Sequence, residues 1–558
     1  MLAHKIAPLA TLPVFAAAQP ATAPARYVVH AAHIYTVDAT RPMAEAFAVD
    51  GGRIVAVGTE ADVASGREGW GRLDFGRQTV VPGLIDAHGH LMGLGLSLLQ
   101  ADLVGTTSKA DVIDRLRAFE ATLASGDWLT GRGWDQNDWA DGEPFPTRAD
   151  LDAAFPDRPV WLSRIDGHAD WANTAALRAA GLDPDAPAPS DPDGGQVLRD
   201  ASGRLTGVFV DAAAGLVERA VPPLAPDDYA EALRRAFART TRFGLTGVHE
   251  AGIPMGLFPL YQAAIAADAF PIRVYAMITP DEIAAFCETY PEMLTDPSGR
   301  LVARALKLYA DGALGSRGAA LLADYSDDPG NHGLLMRDPA ALQAIVTEAM
   351  RCGLQVSTHA IGDRGNREVL DAYAAALSET GGGPGRHRIE HAQIVALEDI
   401  PRFADLGILA SVQPTHATSD MPWAETRLGP DRLRGAYAWR RFADAGVRLA
   451  LGSDFPVESA DPLLGFHAAV TRQDAAGQPV GGWTGNQALT RAEALRGFTL
   501  DAAYAGFMED EVGSLEVGKR ADFVVLSQDL MRVPPEEILA TRVVATYLDG
   551  VAVYEAED

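Results

Sequence analysis

The segment VVPGLIDAHGH, residues 80–90, carries an apolar run into two histidines one residue apart. Short runs of Val, Leu and Ile suit a strand buried on both faces. Side chains at i and i+2 of a strand point the same way. His88 and His90 therefore leave one strand end on one side, and Gly89 leaves room for close approach between them. Alone, the pair is a weak signal, because two ordinary strand-end histidines would have the same spelling. Its weight comes from the other strand ends farther along the chain.

Seven further short apolar runs succeed it: GLTGVHEAG (244–252), PIRVYAMI (271–278), RALKLYADG (304–312), GLQVSTHAIG (353–362), HRIEHAQ (387–393), GILASVQPT (407–415) and VRLALGSDF (447–455). Stretches such as YAEALRRAFARTTRF and PAALQAIVTEAMRC lie between them, with apolar residues at helical spacing. Alternating strands and helices of this kind predict the α/β class, and eight such units predict a (β/α)8 TIM-type barrel. Working residues of such a barrel sit at the C-terminal strand ends. Read in order, those ends carry His88 and His90, then His249, Lys307, His359, His391 and Asp454. Imidazoles and a carboxylate suit zinc and its borderline relatives. A lysine inside an apolar strand must snorkel, pair with an acid such as Asp311, or do chemistry. A neutral buried lysine can add carbon dioxide and become a carbamate able to bridge two cations.

Outward from the barrel, residues 26–80 and 508–558 read as short strands with hairpin turns at Asp50-Gly51-Gly52 and Asp549-Gly550. Neither end is long enough for a β domain, so one small β-sandwich made by both termini is expected, flanking a barrel over 81–507. The gap of about 91–225 after the first barrel strand is too long for a βα loop. It is read as an inserted subdomain over the barrel mouth. The first 25 residues hold Lys5, the apolar stretch IAPLATLPVFAAA (6–18) and then Gln19-Pro20-Ala21, the layout of a secretory signal peptide. Export to the periplasm is expected, with a disordered cytoplasmic leader as the alternative.

The formal net charge is −28, from 47 basic and 75 acidic residues. So acidic a chain repels phosphate backbones and anionic lipid, which argues against nucleic acid and membrane surfaces as partners. A small-molecule substrate remains, and self-association into a homo-oligomer is compatible with the sequence. Cys287 and Cys352 are the two cysteines. They read as free buried thiols, since free Cys packs as a small hydrophobe.

With these residues in view, the chain resembles the amidohydrolase superfamily, and within it the YtcJ-like branch that includes N-substituted formamide deformylases. VVPGLIDAHGH, GRGWDQNDW, RIDGHADWANTAAL, KLYADGALGSR, STHAIGD, RIEHAQ, LGSDFPV and VGSLEVGKRADFVVL carry the resemblance across nearly the whole length. It implies two divalent metal ions, with zinc the expected species. His88 and His90 would hold the first, joined by Asp454; His359 and His391 would hold the second; carbamylated Lys307 would bridge them. The implied reaction is hydrolysis of an amide-type carbon–nitrogen bond other than a peptide bond, N-formyl or N-acyl, by a metal-bridging hydroxide. Asp454 would carry the proton. A lactone, carbamate or cyclic amide is the alternative substrate class, and a non-catalytic barrel serving as a binding module is the competing reading.

Several other residues are candidate substrate contacts. Trp134 and Asp135 in GRGWD and His168 in DGHAD lie in the insertion, with subdomain packing the alternative for Trp134 and a helix-entry role the alternative for His168. Asp311 and Arg317 follow the fourth strand. Arg317 would bind a substrate carboxylate or pair with a nearby acid. Gln413 and His416 follow the seventh strand and would face the mouth.

Overall fold

Eight parallel strands follow one another around a nearly closed barrel. They are β1 (Leu84–Gly89), β2 (Leu245–Ile253), β3 (Arg273–Ile278), β4 (Leu301–Tyr309), β5 (Gln355–Ala360), β6 (Arg388–His391), β7 (Leu409–Val412) and β8 (Leu449–Leu451). The computed structural model describes residues 25–557 apart from 125, 137–138, 140–144, 166, 168, 193–194 and 383–384. Of the leader read as an export signal over residues 1–25, residues 1–24 lie outside the described residues. The described chain forms two compact units: Met92–Ala236, and the remainder with the barrel and both termini.

Register aligns the strand ends that carry chemistry. Lys307 on β4 lies opposite Ser357 on β5, Tyr309 opposite His359, and Ala360 opposite His391 on β6. Inside the barrel Ala87, Ala251, Ala305 and Ala450 are fully buried and small, and Tyr275, Met277, Lys307 and Arg388 fill the space they leave. Barrel interiors are packed cores rather than pores. A short helix, Leu500–Ala505, contributes Ala502, Ala503 and Ala505 to the same core.

β1 and β8 meet through a side chain as well as the backbone. Asp86 accepts from Ser453 N at 3.1 Å and from Ser453 Oγ at 2.6 Å. Beyond it, Asp454 N donates to His88 O at 2.7 Å and His90 N to Phe455 O at 2.8 Å. Glycine is required here: a Cβ on Gly452 would stand 2.6 Å from both Asp86 Oδ1 and His88 N. Gly452→Ala should therefore destabilise the chain by about 1–3 kcal/mol through overpacking. Denaturant unfolding checks this, and a wild-type midpoint would refute the tight closure.

β2 differs from its sequence reading. It continues to Ile253, so His249 lies in the middle of the strand rather than at its end. Fully buried, it packs 5.0 Å from the Tyr275 ring, within the barrel core.

Both chain ends enter one folded sheet. Arg26–Tyr35 pairs with Met43–Asp50 and with Gly71–Asp74 along its first part, and with Thr79–Pro82 near its end. Thr79–Pro82 pairs in turn with Phe523–Leu526 from the far end of the chain. The terminal sheet thus runs to Pro82, two residues beyond the boundary read at 80. Phe47 meets Phe523 edge-on at 5.2 Å, and Tyr547 stacks on Phe523 at 4.3 Å. Buried Arg273, at the start of β3, pairs with Asp522 at 2.8 Å and Asp549 at 2.5 Å, tying the sheet to the barrel.

The unit Met92–Ala236 holds a six-stranded sheet whose inner strands are Leu205–Asp211, Ala169–Ala172, Val160–Arg164 and Leu129–Trp134. Trp134 is fully buried in its core, 5.9 Å from Trp171. Among the described residues no helix is long and apolar enough to cross a membrane.

The cysteines are not free. Cys287 in α1 (Ile283–Thr289) and Cys352 at the end of α2 (Pro339–Cys352) form a disulfide, with Cα atoms 6.0 Å apart. These helices follow β3 and β4, and neighbouring strands in a βα barrel bring their helices side by side. Spacing along the chain, 65 residues, gave no hint of it.

Candidate metal centre

The C-terminal ends of β1, β4, β6 and the turn after β8 converge on one buried point. Donor atoms of His88, His391 and Asp454 lie within 4.8 Å of one another. His90 Nε2 stands 3.1 Å from Asp454 Oδ1, and His88 Nε2 3.5 Å from the same oxygen. Lys307 Nζ lies 3.0 Å from His88 Nε2. The His359 ring lies 4.6 Å from that of His391, though its Nε2 is turned toward Gly312 O at 3.5 Å. All six sequence candidates thus share one neighbourhood, with His359 at its edge.

Backbone geometry singles out two of them. His391 has φ 73° and Asp454 has φ 63°, a left-handed conformation that non-glycine residues seldom adopt. Such local strain persists where the surroundings over-determine it, and it clusters at functional sites. Here it turns each side chain inward at the point where its strand ends.

The electrostatics suit a cation. Burial, with Lys307 nearby, lowers the His88 imidazole to about 4, and His359 to about 3 from the same causes. Burial also holds His391 well below the usual imidazole range, with His359 and His88 beside it. Neutral imidazoles keep a lone pair for a metal. Burial would raise the Asp454 carboxyl, but His88, His90 and His391 outweigh it and hold it well below the usual carboxylate range. Asp454 Oδ1 is buried and accepts no hydrogen bond, despite the two imidazole nitrogens near it. A buried carboxylate oxygen with the imidazole nitrogens of His90 and His88 at 3.1 and 3.5 Å is an arrangement a divalent cation completes. The residues present therefore fit the metal site that the sequence implied.

These shifts predict acid sensitivity in the metal-free protein. An imidazole depressed in the fold titrates near 6.5 when unfolded, so below that pH the unfolded chain binds protons that the native state refuses. Stability is then full above about 6.5 and lost as pH falls toward 4 and 3. Denaturant unfolding of chelator-treated protein between pH 7 and pH 4.5 should show a falling midpoint, and a flat profile would contradict the buried neutral imidazoles.

Further candidates fall elsewhere. Trp134 packs in its own core and donates Nε1–H to Leu162 O at 3.0 Å. Asp135 pairs with Arg164 at 2.5 Å. His168 lies outside the described residues. Asp311 is fully buried and accepts from Ala320, Ile361 and Gly362 backbone N–H groups at 2.8–2.9 Å. Its oxygens bind loops together rather than facing a substrate. Arg317 pairs with Asp327 at 2.8 Å, so of its two readings the structure shows the ion pair.

Gln413 and His416 do reach the centre. Gln413 Oε1 accepts from His391 Nδ1 at 2.8 Å, which leaves His391 Nε2 free. His416 stacks on His391 at 5.7 Å, with its Nε2 buried, without a hydrogen bond, and 3.7 Å from Asp454 Oδ2. Sequence reasoning passed over Glu390 and Arg388. Part of the signal was available: charged residues at alternate positions of a barrel strand share one face, and in the structure both are fully buried.

The chain matches the model of the amidohydrolase family over residues 76–554. It is 35% identical over 541 residues to "Putative amidohydrolase YtcJ" of Bacillus subtilis (strain 168), covering 94% of this chain and 99% of that protein. It is 31% identical over 546 residues to the N-substituted formamide deformylase of Arthrobacter pascens, covering 94% and 97%. Among solved structures, a metal-dependent hydrolase from Pyrococcus horikoshii OT3 superposes with a TM-score of 0.75 at 28% identity, covering 91% of this chain and 99% of that one.

Proposed function

Because the chain belongs to the amidohydrolase family, we propose that it hydrolyses a non-peptide carbon–nitrogen bond of an N-formyl or N-acyl amide at the centre built around Asp454. The observation that carries this reading is the convergence of the buried donor atoms of His88, His391 and Asp454 within 4.8 Å of one another. His88, His90 and Asp454 would hold one divalent ion, and His359 and His391 a second, with zinc the expected species. When bound, such ions supply a hydroxide at neutral pH and polarise the scissile carbonyl.

The chain's own residues divide the remaining work. Asp454 takes a proton from the attacking water and delivers it to the leaving nitrogen. Gln413 fixes His391 through its Nδ1. His416 Nε2, 3.7 Å from Asp454 and without a hydrogen bond, would donate to the substrate carbonyl oxygen or its neighbour. Lys307 is fully buried, and burial lowers its amine to about 8. An amine with so low a value is partly neutral at physiological pH. It would add carbon dioxide, lose a proton and become the bridging carbamate.

The similarity to a formamide deformylase favours N-formyl substrates. A panel of N-formyl amines, N-acyl amino acids, dipeptides and lactones, offered to zinc-loaded protein, tests the assignment. Cleavage concentrated on N-formyl or N-acyl amides supports it. Turnover of lactones alone would move the chain to ester-type chemistry, and no turnover of any member would favour a binding role. We also place the protein in an oxidising compartment, as the Cys287–Cys352 disulfide and the apolar leader together suggest.

A further inference from the structure

β6 spells Arg388-Ile389-Glu390-His391, and every one of these residues is buried. Arg388 and Glu390 are both 0% exposed. Glu390 Oε2 lies 2.5 Å from His88 Nδ1, and its Oε1, which accepts no hydrogen bond, lies 2.8 Å from Arg388 Nε as an ion pair. Arg388 reaches on into the barrel: Nη1 donates to His249 Nδ1 at 2.8 Å, Nε to Ser357 Oγ at 3.3 Å and Nη2 to Met277 Sδ at 3.4 Å. The chain His88–Glu390–Arg388–His249 therefore crosses the interior from β1 through β6 to β2. It explains why His249 sits deep in its strand and away from the candidate ligands.

Packing gives no reason for such a chain. Apolar residues of similar volume often replace a buried ion pair without loss of stability, whereas removing one partner leaves an uncompensated charge. What the pair does supply is a fixed acceptor on the far nitrogen of one candidate ligand. An imidazole that donates one N–H to a carboxylate has its tautomer and ring plane set, and its other nitrogen is left as the stronger donor to a metal.

We infer that Glu390, clamped by Arg388, is the positioning residue that keeps the His88 proton on Nδ1 and turns its Nε2 lone pair toward the metal centre. Arg388, held in turn by His249, Ser357 and Met277, stops the carboxylate from swinging toward Lys307. The inference rests on the metal centre proposed above.

Its test is zinc affinity, read by competition with a chromophoric chelator on the full chain, alongside the Tm of the metal-free protein and the visible spectrum of its cobalt(II) form. Glu390→Ala should weaken zinc binding about 10- to 100-fold and shift the cobalt bands. Glu390→Gln, which keeps an acceptor without the charge, should fall between Ala and wild type. The double variant Arg388→Met, Glu390→Gln removes both charges together and guards against misfolding. It should recover the wild-type Tm but not the wild-type zinc affinity. Recovery of both would show the pair to be structural only and overturn the inference. Wild-type zinc affinity in Glu390→Ala would overturn it as well. Failure of the wild-type chain itself to bind zinc would instead bring down the metal centre, and the inference with it.

Discussion

Asp454→Asn should leave a folded protein whose turnover falls by about 10²–10⁴-fold, the range that one positioned proton carrier contributes. The substitution keeps shape and an oxygen in place. The turn would survive, since Asp454 N donates to His88 O whatever the side chain. What is lost is the capacity to take up a proton and hand it on. Around Asp454 stand His88, His90 and His416, the nearest at 3.1 Å, at the point where the candidate ligands converge. Steady-state kinetics on the best substrate of the panel checks this. A fall confined to kcat fits proton transfer, and unchanged turnover would remove Asp454 from that role.

Lys307→Ala should abolish activity and cost the protein part of its bound metal, with partial recovery on adding a short carboxylic acid such as formate or acetate. The Lys307 side chain reaches Nζ to within 3.0 Å of His88 Nε2 and 4.8 Å of the Tyr309 ring centre, inside a fully buried space. Truncation to Ala opens a cavity at that point, large enough for a small carboxylate to take the place proposed for the carbamate. Activity assayed with and without added acid, alongside metal content, reads the effect. Full activity in the variant would refute the bridge.

The barrel was legible because its strands are short, apolar and buried on both faces, so each stands out between helical stretches. The same holds for the strand-end residues that converge on one neighbourhood: HxH, a lysine within RALKLYADG and histidines closing QVSTHA and RIEHA are unusual residues at places a core would otherwise fill with Ala or Val. What the sequence concealed is contact at long range. Asp311 looked like a mouth residue, yet its carboxylate is taken up by backbone N–H groups as far as 51 residues away. Gln413 read as a substrate contact because nothing local shows that His391, 22 residues earlier, occupies it. His249 was misplaced by four residues' worth of strand, since periodicity marks that a strand exists better than where it stops. Cys287 and Cys352 pair because two helices pack side by side, a fact of topology rather than spacing. Glu390 was the most informative residue passed over. Its partner His88 lies 302 positions away, and only closure of the barrel brings them together.

Metal content tests the central claim most directly. Elemental analysis of the full chain, saturated with zinc and then freed of excess ions by gel filtration, should give about two divalent ions per chain, falling to one or fewer in Lys307→Ala. A single ion or less in the wild-type protein, unchanged by Lys307→Ala, would contradict a bridged pair held by His88, His90, His359, His391 and Asp454.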